Sequence, residues 1–385
     1  MNTYEFKTYN WIDNAAVSAA GDLIRTQKLS GFLGQAGDEF LGGPWVLDFE
    51  KLIAKQSKSQ HAITFNSWTS GLEAAFIALE IEEGSEVIVT PWTMSATVAA
   101  ICGAGLVPVF CDIDENTFNI DERLVETMVG PKTRAICSVD LFGRPCNAVV
   151  LRQIADAFDL KLVIDSAQCP TGTISGRAPS EIADIGGFSY NRHKHVQTGE
   201  GGAAITNSDE LYRRLVGIRN HGENNPEFSV SKRANFYGHN WRLGEIESLL
   251  GVFQYRKISE HIDHRRIAAS KIKEGLNLPG LLVEDTPSNI QHDFYILGFR
   301  IPEIRKRDII VERLKELGIS FVVSRYPTLH RLQAFSNYRN GILPVAERLH
   351  DEEFIGLYMC GHWFDDRAVS FVIDSFNKVW SELNV

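Results

Sequence analysis

With 385 residues, 44% hydrophobic and 23% charged, the chain has the composition of a soluble globular protein with two domains, or one large domain and an appendage. Its net charge of −10, without a basic run, excludes a general nucleic-acid surface, which needs clustered Lys and Arg. No apolar stretch reaches the roughly 18 residues of a membrane span, and the start, Met1-Asn-Thr-Tyr-Glu-Phe-Lys, has no apolar signal core.

The first 60 residues show no clear strand and read as helices and arms. From Ala62 onward short apolar runs alternate with helical stretches. Strands are expected at 62–65, 86–90, 107–112, 135–140 and 160–165, and helices at 70–79, 96–103 and 148–158. Strict alternation of β and α implies a mainly parallel sheet covered on both faces. Ligands of such sheets bind beyond the carboxyl ends of the strands, so Asp140 and Asp165 are expected to line a site. Further on, the pattern predicts a helix over 208–219, a polar loop over 220–240 and one long helix over 243–274. Strands at 293–301 and 319–323 and helices at 306–317 and 366–383 read as a smaller C-terminal α/β domain. The expected division is a large domain over 1–255, with an N-terminal helical arm, and a small one over 256–385. The six cysteines are scattered without CxxC pairing, the usage of free thiols in a reducing cytoplasm.

The richest stretch is Ser189-Tyr-Asn-Arg-His-Lys194-His-Val-Gln-Thr-Gly199-Glu-Gly-Gly202. It places a lysine in a polar loop between apolar segments, downstream of a strand that ends in Asp165. A pyridoxal phosphate (PLP) enzyme needs this pair: the lysine forms the Schiff base, and the carboxylate keeps the pyridinium nitrogen protonated. Asp165 read alone would only cap the turn that follows it. Gln168, three residues on, is placed to reach the phenolic oxygen of such a cofactor. Thr69-Ser70-Gly71 opens a helix after a strand, where free N–H groups and the helix dipole suit a phosphate, and Ser189 has a hydroxyl to add. His193 and His195 flank Lys194 with no spacing that matches a zinc site, so no metal is expected. His330, in Arg325-Tyr-Pro-Thr-Leu-His330, lies in a loop expected to face the cleft and is a candidate substrate contact.

Taken together, these motifs resemble the DegT/DnrJ/EryC1/StrS family of sugar aminotransferases. The resemblance rests on Ser67-Trp-Thr-Ser-Gly-Leu, Glu86-Val-Ile-Val-Thr-Pro-Trp-Thr-Met-Ser-Ala-Thr97, Asp165-Ser-Ala-Gln168, Thr198-Gly-Glu-Gly-Gly202, Arg219-Asn-His-Gly222 and Asn240-Trp-Arg-Leu-Gly-Glu245. It implies an α/β, aspartate-aminotransferase-like (type I) fold and transfer of an amino group from L-glutamate to a nucleotide-linked keto sugar. It also implies PLP on Lys194, with Asp165, Gln168, Thr69, Ser70 and Ser189 around it. Asn240 would reach the phosphate in the neighbouring subunit of a homodimer. The family's aromatic ring over the cofactor falls at Met94, with Trp92 two residues away as the other candidate, which also makes Trp92 a candidate substrate contact. Its usual glycine before Thr69 is Trp68 here. One branch of the family carries histidine in the lysine slot and dehydrates keto sugars at C3, so a one-residue slip onto His193 or His195 would change the chemistry. A non-catalytic sugar-sensing regulator is the third alternative.

Overall fold

The computed structural model describes residues 4–35, 37–222, 237–303, 306–338 and 341–383. A seven-stranded sheet forms the centre. Its strands are β1 (His61–Phe65), β2 (Glu86–Val89), β3 (Val107–Phe110), β4 (Thr133–Val139), β5 (Lys161–Asp165), β6 (Ile185–Ser189) and β7 (Gly202–Thr206). They run in the order β1-β7-β6-β5-β4-β2-β3, and only β7 is antiparallel to its neighbours. The strands are short apolar runs because both faces are covered. In β5 every residue after Lys161 is buried.

Helices α1 (Asn14–Thr26) and α2 (Pro44–Ser57) precede this sheet. Between its strands lie α3 (Trp68–Ala78), α4 (Ser95–Gly103) and α5 (Ala148–Ala157). The Ser67 hydroxyl starts α3 by accepting the Ser70 N–H. Helix α5 turns Ala148, Leu151, Ile154 and Ala155 inward at helical spacing. Helix α6 (Asp209–Arg219) follows β7, capped by Ser208.

A second, antiparallel sheet follows: β8 (Leu282–Val283), β9 (Ile296–Arg300), β10 (Val322–Ser324) and β11 (Phe354–Tyr358), in the order β8-β9-β11-β10. Its core includes the apolar stripe Ala368, Val369, Val372, Phe376, Val379 and Trp380 of the C-terminal helix Asp366–Leu383.

Three expectations change. The helix foreseen over 243–274 is two, Glu245–Tyr255 and Ile258–Gly275. The ladder breaks at Lys257, whose N–H turns back to Gln254 O. No Pro or Gly marks the break. Val252 and Tyr255 pack with Phe49, as do Ile258 and Ile262 just past the break, whereas Ala268, Ala269 and Ile272 further along the second helix pack with Phe376. Strand β11, which pairs with both β9 and β10, was not foreseen, because a short apolar run does not declare strand or helix. The N-terminal arm is not strandless, since Lys7–Thr8 pairs with His362–Trp363. Most of the polar loop expected over 220–240 lies outside the described residues.

Candidate active site

A cavity of about 560 Å³ opens beyond the carboxyl ends of β5 and β6, and Thr69, Met94, Asp165, Gln168, Ser189 and Lys194 all line it. Its far wall comes from the second sheet and the loop after it: Tyr295, Ile296, Val323, Tyr326 and Tyr358. Residues more than 200 positions apart thus meet in one pocket.

Asp165 ends β5 and is buried. Its Oδ1 accepts the Trp68 indole Nε1–H at 2.7 Å and the Ala167 N–H at 3.1 Å, and its Oδ2 accepts the Thr97 hydroxyl at 2.7 Å. A carboxylate has about four acceptor positions. Three are filled, and one on Oδ2 remains. The Ala167 bond is the turn cap read from sequence, and the same carboxylate also lines the cavity.

Lys194 is half-buried, with its amine 4.9 Å from the centroid of the Tyr295 ring. Desolvation lowers its pKa from the usual lysine value, opposed by the charges of Asp165 and Cys360. The flanking histidines part ways: His193 also lines the cavity, whereas His195 turns inward. His193 is exposed, and its ring accepts from Arg192 Nε at 3.2 Å. His195 is 2% exposed and points into the protein. Its Nδ1 is bonded by the Arg265 guanidinium, a pure donor, so Nε2 carries the proton and donates to Gln168 O at 2.9 Å. Burial, reinforced by Arg265, holds this imidazole neutral, well below the ordinary histidine pKa.

Gln168 is oriented by its neighbours. Its Oε1 accepts the Phe142 N–H at 2.7 Å, so its Nε2 faces the Tyr326 hydroxyl at 3.3 Å. It therefore presents a donor to the cavity. Phe142 reaches it from a left-handed backbone conformation (φ 60°), stabilised by stacking on Phe354 at 5.1 Å.

At the start of α3 the Ser70 hydroxyl lies 2.9 Å from that of Ser67. Ser67, Trp68 and Thr69 line the cavity, and Ser70 does not. Ser189 Oγ accepts the Asn191 N–H at 3.4 Å. Met94 is 58% exposed on the cavity wall.

Three residues, Trp92, His330 and Asp140, are not where the sequence reading put them. Trp92 is fully buried, packed on Phe118, Phe142 and Phe354, and does not line the cavity. Its Nε1–H donates to Tyr326 O at 2.8 Å, so it anchors a wall from behind. His330 is also buried, its Nε2 2.9 Å from Glu347 Oε1, away from the cavity lining. Asp140 lies behind the site, accepting Ser166 Oγ–H at 2.6 Å and Cys146 N–H at 2.8 Å, and burial pushes its pKa up to about 7. Asn240 is exposed and outside this cavity, where its Oδ1 accepts from Arg242 Nε at 2.8 Å.

Sequence reasoning missed Thr97, Tyr295, Tyr326 and Tyr358. Tyr326 sat in the very loop singled out for His330, Thr97 closed one of the motifs that carry the resemblance, and the other two tyrosines carried no signal. Among the described residues, no three His, Cys, Asp or Glu side chains cluster to hold a metal, and no helix is long and apolar enough to cross a membrane.

The donor set fits a PLP-sized ligand: a desolvated amine, a carboxylate with a free acceptor position, an amide N–H and hydroxyls at a helix N-terminus. Comparison with known proteins agrees. The chain is 30% identical to the dTDP-3-amino-3,4,6-trideoxy-alpha-D-glucose transaminase of Micromonospora megalomicea, over 88% of this chain and 91% of that one. It is 29% identical to the GDP-perosamine synthase of Caulobacter vibrioides, over 79% and 82%. The crystal structure of DesI, solved in the presence of its TDP-sugar product, superposes with a TM-score of 0.83 at 28% identity, over 99% of this chain and 96% of that one. Residues 33–375 match the profile of the DegT/DnrJ/EryC1/StrS aminotransferase family, and the chain belongs to that family.

Proposed function

We propose that this protein is a PLP-dependent aminotransferase that moves an amino group from L-glutamate to a nucleotide-linked keto sugar, for amino-sugar and polysaccharide biosynthesis. The observation that carries the reading is the convergence of the Lys194 amine, the Asp165 carboxylate and the Gln168 N–H on one cavity. The sugar-nucleotide names of the relatives support the substrate class, and they differ in nucleotide.

When bound, the cofactor supplies an electron sink for the substrate carbon. Asp165 holds a proton on the ring nitrogen through a charge-assisted hydrogen bond. Gln168 donates to the phenolic oxygen. Thr69, Ser70 and Ser189, with the N-terminus of α3, bind the phosphate. Met94 packs on a ring face through its thioether. Lys194 anchors the cofactor and, once released, moves a proton to and from the substrate carbon as general base and acid. Trp92 and His330 act through the Tyr326 loop. Asn240, exposed outside its own cavity, reaches the neighbouring site of a homodimer. The catalytic unit spans 1–255 and the small one 256–385, and free cysteines suit a cytoplasmic enzyme.

The 3-dehydratase reading would need a histidine at the cofactor. His195 has both ring nitrogens engaged in the interior, and His193, which shares the cavity with Lys194, has its Nε2 taken by Arg192 at 3.2 Å, which favours transamination. The test is the visible spectrum of the purified protein with PLP. L-glutamate should bleach the band and release 2-oxoglutarate, whereas a band that L-glutamate leaves unchanged would overturn the proposal.

A further inference from the structure

We propose that Trp68 is a positioning residue that aims the Asp165 carboxylate. This rests on the proposed function and goes beyond it, because the family's usual residue at this place is glycine, which has no donor to offer.

Trp68 opens α3, is 4% exposed and lines the cavity, with its indole packed against the sheet at Gly187. A buried indole N–H needs a partner. Here the partner is Asp165 Oδ1, at 2.7 Å. The slot is cut to the ring. Gly187 pairs directly with Asp165 across β5 and β6, and a Cβ there would lie 2.1 Å from Trp68 Cη2 and Cζ3. A Cβ on Gly202 would lie 2.3 Å from the Trp68 backbone nitrogen. Glycine inside a strand weakens it and commonly marks a close approach by another group. At Gly187 that group is the indole.

The geometric consequence concerns the carboxylate plane. Indole nitrogen is a donor only, so it cannot be satisfied by a rotated amide or a protonated oxygen presenting hydrogen. With Thr97 on Oδ2 and Ala167 N sharing Oδ1, the indole leaves a single orientation in which the unfilled acceptor position belongs to Oδ2. Trp68 therefore selects which oxygen meets the ring nitrogen of the cofactor.

The test uses the full chain without added cofactor, labelled with 15N-tryptophan. Seven indole N–H signals are expected, and Trp68→Phe assigns one of them. A charge-assisted bond places the Trp68 proton downfield. Asp165→Asn should move that signal upfield and leave the other six in place. Gly187→Ala should move it too, by displacing the ring. With PLP, Trp68→Phe should lower kcat about ten- to a hundred-fold, the scale of a lost bond to a charged group, and do little more in the Asp165→Asn background. An indole signal indifferent to Asp165→Asn overturns the proposal, as does a Trp68→Phe protein with unchanged kcat. The NMR readout needs no catalysis, so its failure is distinct from failure of the aminotransferase reading.

Discussion

Replacing Asp165 separates what its carboxylate does for the fold from what it does for chemistry. In Asp165→Ala the buried Trp68 indole loses its acceptor, whereas the Thr97 hydroxyl can turn to the Thr93 hydroxyl 3.0 Å away. An orphaned buried donor costs about 1–3 kcal/mol. The orphaned indole therefore makes the alanine variant less stable by about 1–3 kcal/mol. Asp165→Asn behaves differently. The indole can only donate, so the amide oxygen must take the Oδ1 position, where it still serves Trp68 and Ala167. The amide NH2 then faces Thr97, whose hydroxyl can turn to accept. Every donor keeps a partner, and the expected loss is about 1 kcal/mol or less, the net worth of one neutral hydrogen bond. Both variants should nevertheless lose most transaminase activity, since neither holds a positive ring nitrogen by charge. Urea unfolding of the cofactor-free proteins, beside activity at saturating PLP, makes the comparison. An asparagine variant as unstable as the alanine one would refute the donor assignment, and an active one would refute the role of the charge.

Lys194→Ala should still fold, bind no PLP covalently by absorbance or mass, and lose about 10²–10⁴-fold in rate, the range of general acid–base catalysis. Because desolvation lowers the Lys194 pKa, the neutral amine forms earlier as pH rises. Reconstitution with PLP, followed by absorbance, should therefore speed up with pH and level off below the ordinary lysine value of 10.5. His195 is held neutral when folded, so the unfolded chain takes up a proton that the native one refuses. Its contribution is present above the unfolded value of 6.5 and is lost as pH falls below it. His195→Gln should flatten the fall in the urea midpoint on the acid side of that value; an unchanged slope would show that the imidazole is not excluded from titration.

Much of the fold was legible because the strands buried on both faces must be short apolar runs, and the helices between them must carry a stripe. From 61 to 165 the five strands and the three longer helices came out in place, whereas the strands Ile185–Ser189 and Gly202–Thr206 were not assigned. Beyond them the signal thinned. Phe354-Ile-Gly-Leu-Tyr358 is too short to show a period, and nothing in the local pattern marks the break at Lys257. The site was legible in part for a similar reason. Asp165, Gln168, Ser189 and Lys194 announced themselves because each ends or follows a strand. Trp92 and His330 misled because an aromatic or imidazole in a loop near the cleft looks the same whether it faces the ligand or holds the wall. Trp92 holds the carbonyl of Tyr326, the residue that does reach the cavity.

By itself the order of residues determined the chemistry on offer: a lysine, a carboxylate at a strand end, an amide three residues later and hydroxyls at a helix start. Those are local features, written within a few positions of one another. Only the folded chain decided that His193 and Lys194 line the cavity while His195 turns inward, and which way the carboxylate points. That choice depends on Arg265 reaching His195 from a distant helix and on the indole of Trp68 crossing to β5, where a strand glycine leaves it room. Side-chain direction in a loop is settled by what packs behind it, and that packing comes from segments that sequence neighbours do not reveal.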